Sequence, residues 1–111
     1  MSLTLPNLTY AYNMEISNVS SIDMPVLDSI SQSLDISWTN VQNLTIPMLG
    51  FVGEILTIGN NGQLHDLSIP DLVNVQGDVN IVDNGQLEGI NGLSALGVVG
   101  GDLVLEGDFT K

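Results

Sequence analysis

The sequence predicts an all-β chain wound as a right-handed parallel β-solenoid of about four to five coils. Three observations carry this reading. A motif of 19–24 residues recurs about five times. Each copy holds two short extended patterns, one with apolar residues at strict period two. Helix-length amphipathic runs are absent. The clearest copy runs from Ile69 to Asn91, IPDLVNVQGDVNIVDNGQLEGIN. Pro70 opens it, Gly77-Asp78 breaks it in the middle, and Asp83-Asn84-Gly85 turns it again.

The units follow in order. Unit one is LPNLTYAYNMEISNVSSID from Leu5, and unit two is MPVLDSISQSLDISWTNVQNLT from Met24. Unit three is IPMLGFVGEILTIGNNGQLHDLS from Ile46, and unit five is GLSALGVVGGDLVLEGDFTK from Gly92. Their leucine anchors Leu8, Leu27, Leu49, Leu72 and Leu96 are 19, 22, 23 and 24 residues apart. Unit one carries a deletion near Tyr12-Asn13. The first pattern, L-x-x-[IV], gives Leu27/Ile30, Leu49/Val52, Leu72/Val75 and Leu96/Val99. The second, [LV]-x-[IL], gives Leu34/Ile36, Leu56/Ile58, Val79/Ile81 and Leu103/Leu105, with Met14/Ile16 in unit one.

Period two puts both apolar residues of the second pattern on one side of a strand, leaving Glu15, Asp35, Thr57, Asn80 and Val104 facing out. Gly53-Glu54, Gly77-Asp78 and Gly100-Gly101-Asp102 read as turns between the patterns. No unit can bury its apolar stripe alone, so the units must stack, each strand pairing with its counterpart in the next coil. Thr39, Asn61, Asn84 and Asp108 fall in one column after the second pattern. There they are placed to bond turn carbonyls across rungs. A leucine-rich repeat with L-x-L-x-x-N also fits. Two strand patterns and no helical segment favour the solenoid of receptor L-domain type.

Residues 1–111 form a single domain's worth of chain. The net charge is −12, from one Lys and no Arg against 13 Asp and Glu. A nucleic-acid or anionic membrane surface needs clustered Lys and Arg, which are missing. With no Cys there is no disulfide, thiolate nucleophile or cysteine–zinc site. No D-x-[DN]-x-[DN]-G calcium loop, secretory leader or membrane-spanning run is visible. No cofactor is expected.

The phrases LPNLTYAYNMEISNVSSI, IPDLVNVQGDVNI and INGLSALGVVGGDLVLEGDF resemble the fungal GPI-anchored cell-wall organisation proteins of the extracellular-mutant and sporulation-specific type. Their ectodomains are similar to the receptor L-domain. The resemblance covers essentially the whole chain. It implies a non-enzymatic, extracellular surface glycoprotein needed for wall assembly and integrity, held at the outer face of the plasma membrane. Members of that family are considerably longer, so the chain looks like a piece of an ectodomain. Where they often have Cys after the Asn of unit one, this chain has Val19, so no disulfide carries over.

Three N-x-[ST] sequons fit a secreted origin: Asn7-Leu8-Thr9, Asn18-Val19-Ser20 and Asn43-Leu44-Thr45. Leu8 and Leu44, the middle residues of two of them, are inward anchors, and the asparagine side chains should point outward. His65, the single histidine, reads as an exposed turn residue equivalent to Glu88 rather than part of a Ser-His-Asp set. Asp78 and Asp102 occupy equivalent positions on adjacent rungs, the spacing a pair of glycosidase carboxylates needs. Both follow Gly in a turn, and the turn role is the simpler account. Trp38 stands where its column otherwise has Asn60 and Asp83. Tyr12, Trp38 and Phe51 make a candidate contact patch for wall polysaccharide or a wall protein. A stack with uncovered end rungs is expected to self-associate through them.

Overall fold

The computed structural model describes residues 2–87, 89–90 and 92–106. The chain makes short strands, three in each of the first four coils. Coil one holds β1 (Ser2–Thr4), β2 (Tyr10–Ala11) and β3 (Met14–Ile16). Coil two holds β4 (Ser21–Asp23), β5 (Ser29–Ile30) and β6 (Leu34–Ser37). Coil three holds β7 (Asn43–Thr45), β8 (Phe51–Val52) and β9 (Leu56–Gly59), and coil four β10 (Asp66–Ser68), β11 (Asn74–Val75) and β12 (Val79–Val82). A fifth coil adds β13 (Val98–Val99) and β14 (Leu103–Glu106). The chain is a parallel β-solenoid.

Every pairing between these strands is parallel, and counterparts stack in the order the repeats require. The second face is the five-stranded sheet β2-β5-β8-β11-β13, and the third is β3-β6-β9-β12-β14. The first face is interrupted: β1 pairs β4 and β7 pairs β10, with Ser68 bridging onward to Gly92. The registers match the columns read from the sequence, Ile36 lying beside Ile58 and Ile81 beside Leu105. The shortest dimension of the molecule, 19 Å, is what four rung steps of about 4.8 Å give.

The first face corrects the sequence reading, which allowed two strands per unit. Its signal was present as Leu3-Thr4-Leu5-Pro6, Ile22-Asp23-Met24-Pro25, Leu44-Thr45-Ile46-Pro47 and Leu67-Ser68-Ile69-Pro70. Each is a period-two apolar pair closed by a proline. Proline ends the ladder because it has no N–H to donate. Starting each unit at the residue before that proline left the strand whole at the end of the preceding unit but separated its apolar pair, Ile22 from Met24 and Leu44 from Ile46.

The arcs between faces differ in how they absorb length. From first to second face the step is six positions in four coils, Thr4 to Tyr10, Asp23 to Ser29, Thr45 to Phe51 and Ser68 to Asn74. From second to third it is three positions in coil one (Ala11 to Met14) and four in coil two (Ile30 to Leu34), which locates the deletion near Tyr12-Asn13. From third face to first the step grows, from Ile16 to Ser21, Ile36 to Asn43 and Ile58 to Asp66, as five, seven and eight positions. The break between β4 and β7 falls where this arc lengthens by two.

The core is one continuous apolar column. Leu27, Leu49 and Leu72 stack at one level, and Ile30, Val52 and Val75 at another, all fully buried. Burying one such side chain contributes about 1.5–3 kcal/mol. Among the described residues the end coils are covered from one side alone, and Leu3, Leu5, Leu8, Met14, Leu96 and Leu105 are only partly buried.

Two devices let the rungs pack this closely. At the corner between second and third faces, Gly53 and Gly100 lie so near the preceding rung that a Cβ would come within 1.9 Å of the Ser31 carbonyl oxygen and 2.0 Å of that of Gln76. At the corner leaving the third face, the buried column of Thr39, Asn61 and Asn84 closes a ladder. Asn84 Nδ2 donates to the Ile58 carbonyl at 2.9 Å and Asn61 Nδ2 to that of Ile36 at 3.0 Å. Asn61 Oδ1 accepts from the Thr39 amide at 3.1 Å and its hydroxyl at 2.7 Å, and Asn84 Oδ1 accepts from the Asn61 amide at 3.1 Å. Among the described residues every buried side-chain nitrogen and oxygen has a partner. Asp108, placed in this column by the sequence, lies outside the described residues.

Candidate functional site

The corner that carries the ladder also carries the strained backbone of the molecule. Just ahead of the ladder column stand Asn18, Trp38, Asn60 and Asp83, with φ of 59, 59, 56 and 57°. Asn and Asp tolerate this left-handed conformation because their short polar side chains bond locally. Trp38 is a bulky residue in the same conformation, an arrangement proteins use sparingly. It is 67% exposed.

The structure does not gather Tyr12, Trp38 and Phe51 into one patch. Tyr12 sits at the corner between second and third faces, where its hydroxyl accepts a hydrogen bond from Gln32 Nε2 at 2.8 Å. Phe51 is on the second face, its ring reaching the Gly53–Ser31 corner. Trp38 lies beyond the far end of β6, at the next corner. The sequence orders positions along a coil, but a three-sided cross-section turns those positions to different sides.

What the second face does gather was not read from the sequence as a set. Its outward row runs Tyr10, Ser29, Phe51, Asn74 and Val98, in register from rung to rung. None of these five is charged. Of the ten exposed large hydrophobic residues among the described residues, Tyr10, Phe51 and Val98 are in this row. Val26, Met48 and Val73 flank it on one arc, and Tyr12 and Ile55 on the other. This gathers most of the exposed large apolar side chains of the described residues around one face. Only Trp38 and Leu103 of the ten lie elsewhere.

The sequons sit as their pattern requires. Asn7, Asn18 and Asn43 are exposed, as are Thr9, Ser20 and Thr45. Leu44 and Val19 are buried, and Leu8 is partly so.

The carboxylate pair has a structural job. Asp78 Oδ1 accepts the Asp102 backbone amide of the next rung at 2.8 Å. Asn13 does the same for the Ser33 amide at 3.2 Å and the Ser33 hydroxyl for the Ile55 amide at 3.3 Å. These positions form a second cross-rung column in which side-chain oxygens cap backbone amides at the corner. His65 Nδ1 meets the adjacent Asp66 carboxylate at 3.1 Å with both side chains well exposed, where such pairs contribute little. Its sequence counterpart, Glu88, lies outside the described residues. Among the described residues no group of three or more His, Asp or Glu is placed to hold a metal, and no helix is long and apolar enough to cross a membrane.

Comparison with known proteins finds relatives of this chain. A protein of Arthroderma benhamiae described as "Cell surface GPI-anchored protein" is 31% identical over 109 residues, 98% of this chain and 28% of its own length. Sporulation-specific protein 2 of Saccharomyces cerevisiae is 32% identical over 111 residues, 100% of this chain and 22% of its own. The chain is homologous to this group of fungal surface and sporulation-specific proteins. Sporulation-specific protein 22 of Saccharomyces cerevisiae agrees, at 31% identity over 109 residues, 98% of this chain and 24% of its own. The chain spans about a quarter of the length of these relatives. None of the three carries an enzyme's name, and one is described as a GPI-anchored surface protein. No family model matches the chain, and no solved structure matches it.

Proposed function

We propose that this solenoid is a non-catalytic part of a fungal cell-surface protein that supports cell-wall organisation and integrity, and that its second face is where it meets the wall. The observation that carries the reading is the row Tyr10, Ser29, Phe51, Asn74 and Val98 with its apolar flanks. A row of rings, hydroxyl and amide without charge suits an uncharged polysaccharide. Sugar rings offer C–H faces to the aromatics and hydroxyls to the polar side chains. Tyr10 and Phe51 are two rungs apart, about 9.6 Å along the stack, which leaves room for successive sugars of an extended glycan. The homology to a GPI-anchored surface protein supports an extracellular setting, in the wall or at the outer face of the plasma membrane.

A polysaccharide-active enzyme on Asp78 and Asp102 finds less support. Asp78 is committed as an acceptor for the Asp102 amide, and a general acid on this scaffold would need a carboxyl sheltered from water.

Co-sedimentation of the purified chain with separate β-glucan, chitin and mannan fractions tests the proposal. Saturable binding to one fraction, weakened at least tenfold by Tyr10→Ala with Phe51→Ala and untouched by Trp38→Ala, is the expected outcome. Binding lost only in Trp38→Ala would move the contact to the other corner. No binding to any fraction would leave a scaffold whose contacts are with wall proteins. Turnover of any fraction that disappears in Asp78→Asn would overturn the non-catalytic reading.

A further inference from the structure

We infer that Asn18 carries an N-linked glycan whose first sugar packs on the indole of Trp38. The two residues are neighbours across one rung step. β3 and β6 register Ile16 beside Ile36, which puts Asn18 beside Trp38 two positions on. The Asn18 amide donates to the Trp38 carbonyl at 3.1 Å. Both residues have φ of 59°, so the backbone takes the same left-handed conformation at the two neighbouring positions. The rung step of about 4.8 Å makes them adjacent positions on the surface of the stack.

The chemistry of the site is selective. Asn61 and Asn84 spend their amide nitrogens on buried carbonyls. The position equivalent to theirs in coil one is Val19, so Asn18 stands outside the buried ladder and its Nδ2 can be substituted without breaking it. Asn43, another sequon residue, has the carboxylate of Asp66 as its registered neighbour, which offers a sugar no ring to cover. Trp38 supplies the other half of the argument. It is an exposed indole held in a left-handed conformation its column otherwise gives to Asn and Asp. Both exposure and backbone strain weigh against the bare protein, and strain of this kind marks positions kept for a contact. A pyranose over the ring removes the exposure.

Trp38 is the single tryptophan of the chain, so its fluorescence reports this contact alone. The chain is expressed in a glycosylating eukaryotic host. An endoglycosidase then trims the glycans to one N-acetylglucosamine, and peptides are mapped by mass spectrometry. The mapping is expected to show Asn18 occupied. Acrylamide quenching of Trp38 should be at least twofold weaker than in Asn18→Asp, which keeps a residue suited to the backbone but removes the sequon. In thermal unfolding the glycan should raise the melting temperature with Trp38 present and raise it far less in Trp38→Asn. An unmodified Asn18 overturns the inference. So does an occupied Asn18 with unchanged quenching and additive effects of the two substitutions.

Discussion

Replacing Asn61 by Ala should be the most damaging single change to a polar residue of this molecule. Its side chain makes four hydrogen bonds in the ladder, to the Thr39 amide, the Thr39 hydroxyl, the Ile36 carbonyl and Asn84 Oδ1. The residue is 1% exposed, so water does not replace them. Alanine leaves the Thr39 amide and the Ile36 carbonyl without these partners, at about 1–3 kcal/mol each. The expected loss is therefore about 4 kcal/mol, against a total of roughly 5–15 kcal/mol for a domain of ordinary stability. Urea unfolding followed by circular dichroism measures it, with the slope unchanged and the midpoint lowered. Asn80→Ala is the control, since Asn80 faces outward on β12, and it should cost under about 0.5 kcal/mol. If Asn61→Ala costs no more than Asn80→Ala, the ladder does not hold the coils together and the account of the corner is wrong.

Other substitutions probe the remaining devices. Gly53→Ala should cost about 2–3 kcal/mol because its Cβ meets the Ser31 backbone oxygen. Gly62→Ala has nothing within 4 Å of its Cβ and should be neutral or slightly stabilising in the same melting experiment. In the unglycosylated chain, Trp38→Asn should gain about 1 kcal/mol by placing in the left-handed position a residue that suits it, read from thermal unfolding. Ile55→Asn should also raise the melting temperature, because the exposed Ile55 interrupts the column of Asn13, Ser33 and Asp78 that caps amides of the next rung. End-to-end association is expected in sedimentation velocity, growing with concentration, because Leu103, whose counterparts Leu34, Leu56 and Val79 are buried, is exposed on the last described rung and a head-to-tail contact does not close on itself. Leu103→Lys should suppress it, and a chain that stays monomeric at high concentration would contradict it.

Much of this architecture was legible because a solenoid repeats its own evidence. Each inward column is sampled four or five times, so Leu27, Leu49 and Leu72 identify one another without any long-range inference. The polar column of Thr39, Asn61 and Asn84 was legible for the same reason, since three residues able to bond a carbonyl recur at one place. The strand of the first face escaped because its closing proline was taken for a boundary. The surface was harder. Trp38 was visible as a departure from Asn60 and Asp83, but its separation from Phe51 depends on the angle at each corner, which periodicity does not encode. Asp78 and Asp102 share a column, a fact equally compatible with paired catalysis and with one capping the other. Only the 2.8 Å bond between them separates the two.

The uneven growth of the arcs has a consequence for how such a molecule can change. Two of its three corners are held to a nearly constant length, by the six-position step into the second face and by glycines pressed against the rung below. The arc from third face to first is free to expand, and it does so from coil to coil, five, seven, then eight positions. A two-residue expansion there interrupts one ladder, between β4 and β7, while the five-stranded sheets run through undisturbed. New sequence can enter at this edge and be displayed in a row beside Trp38 and Asn60, one segment per rung, with the rest of the coil keeping its register. The solenoid is in this sense a rack with a single open side, and variety among its descendants should accumulate along it.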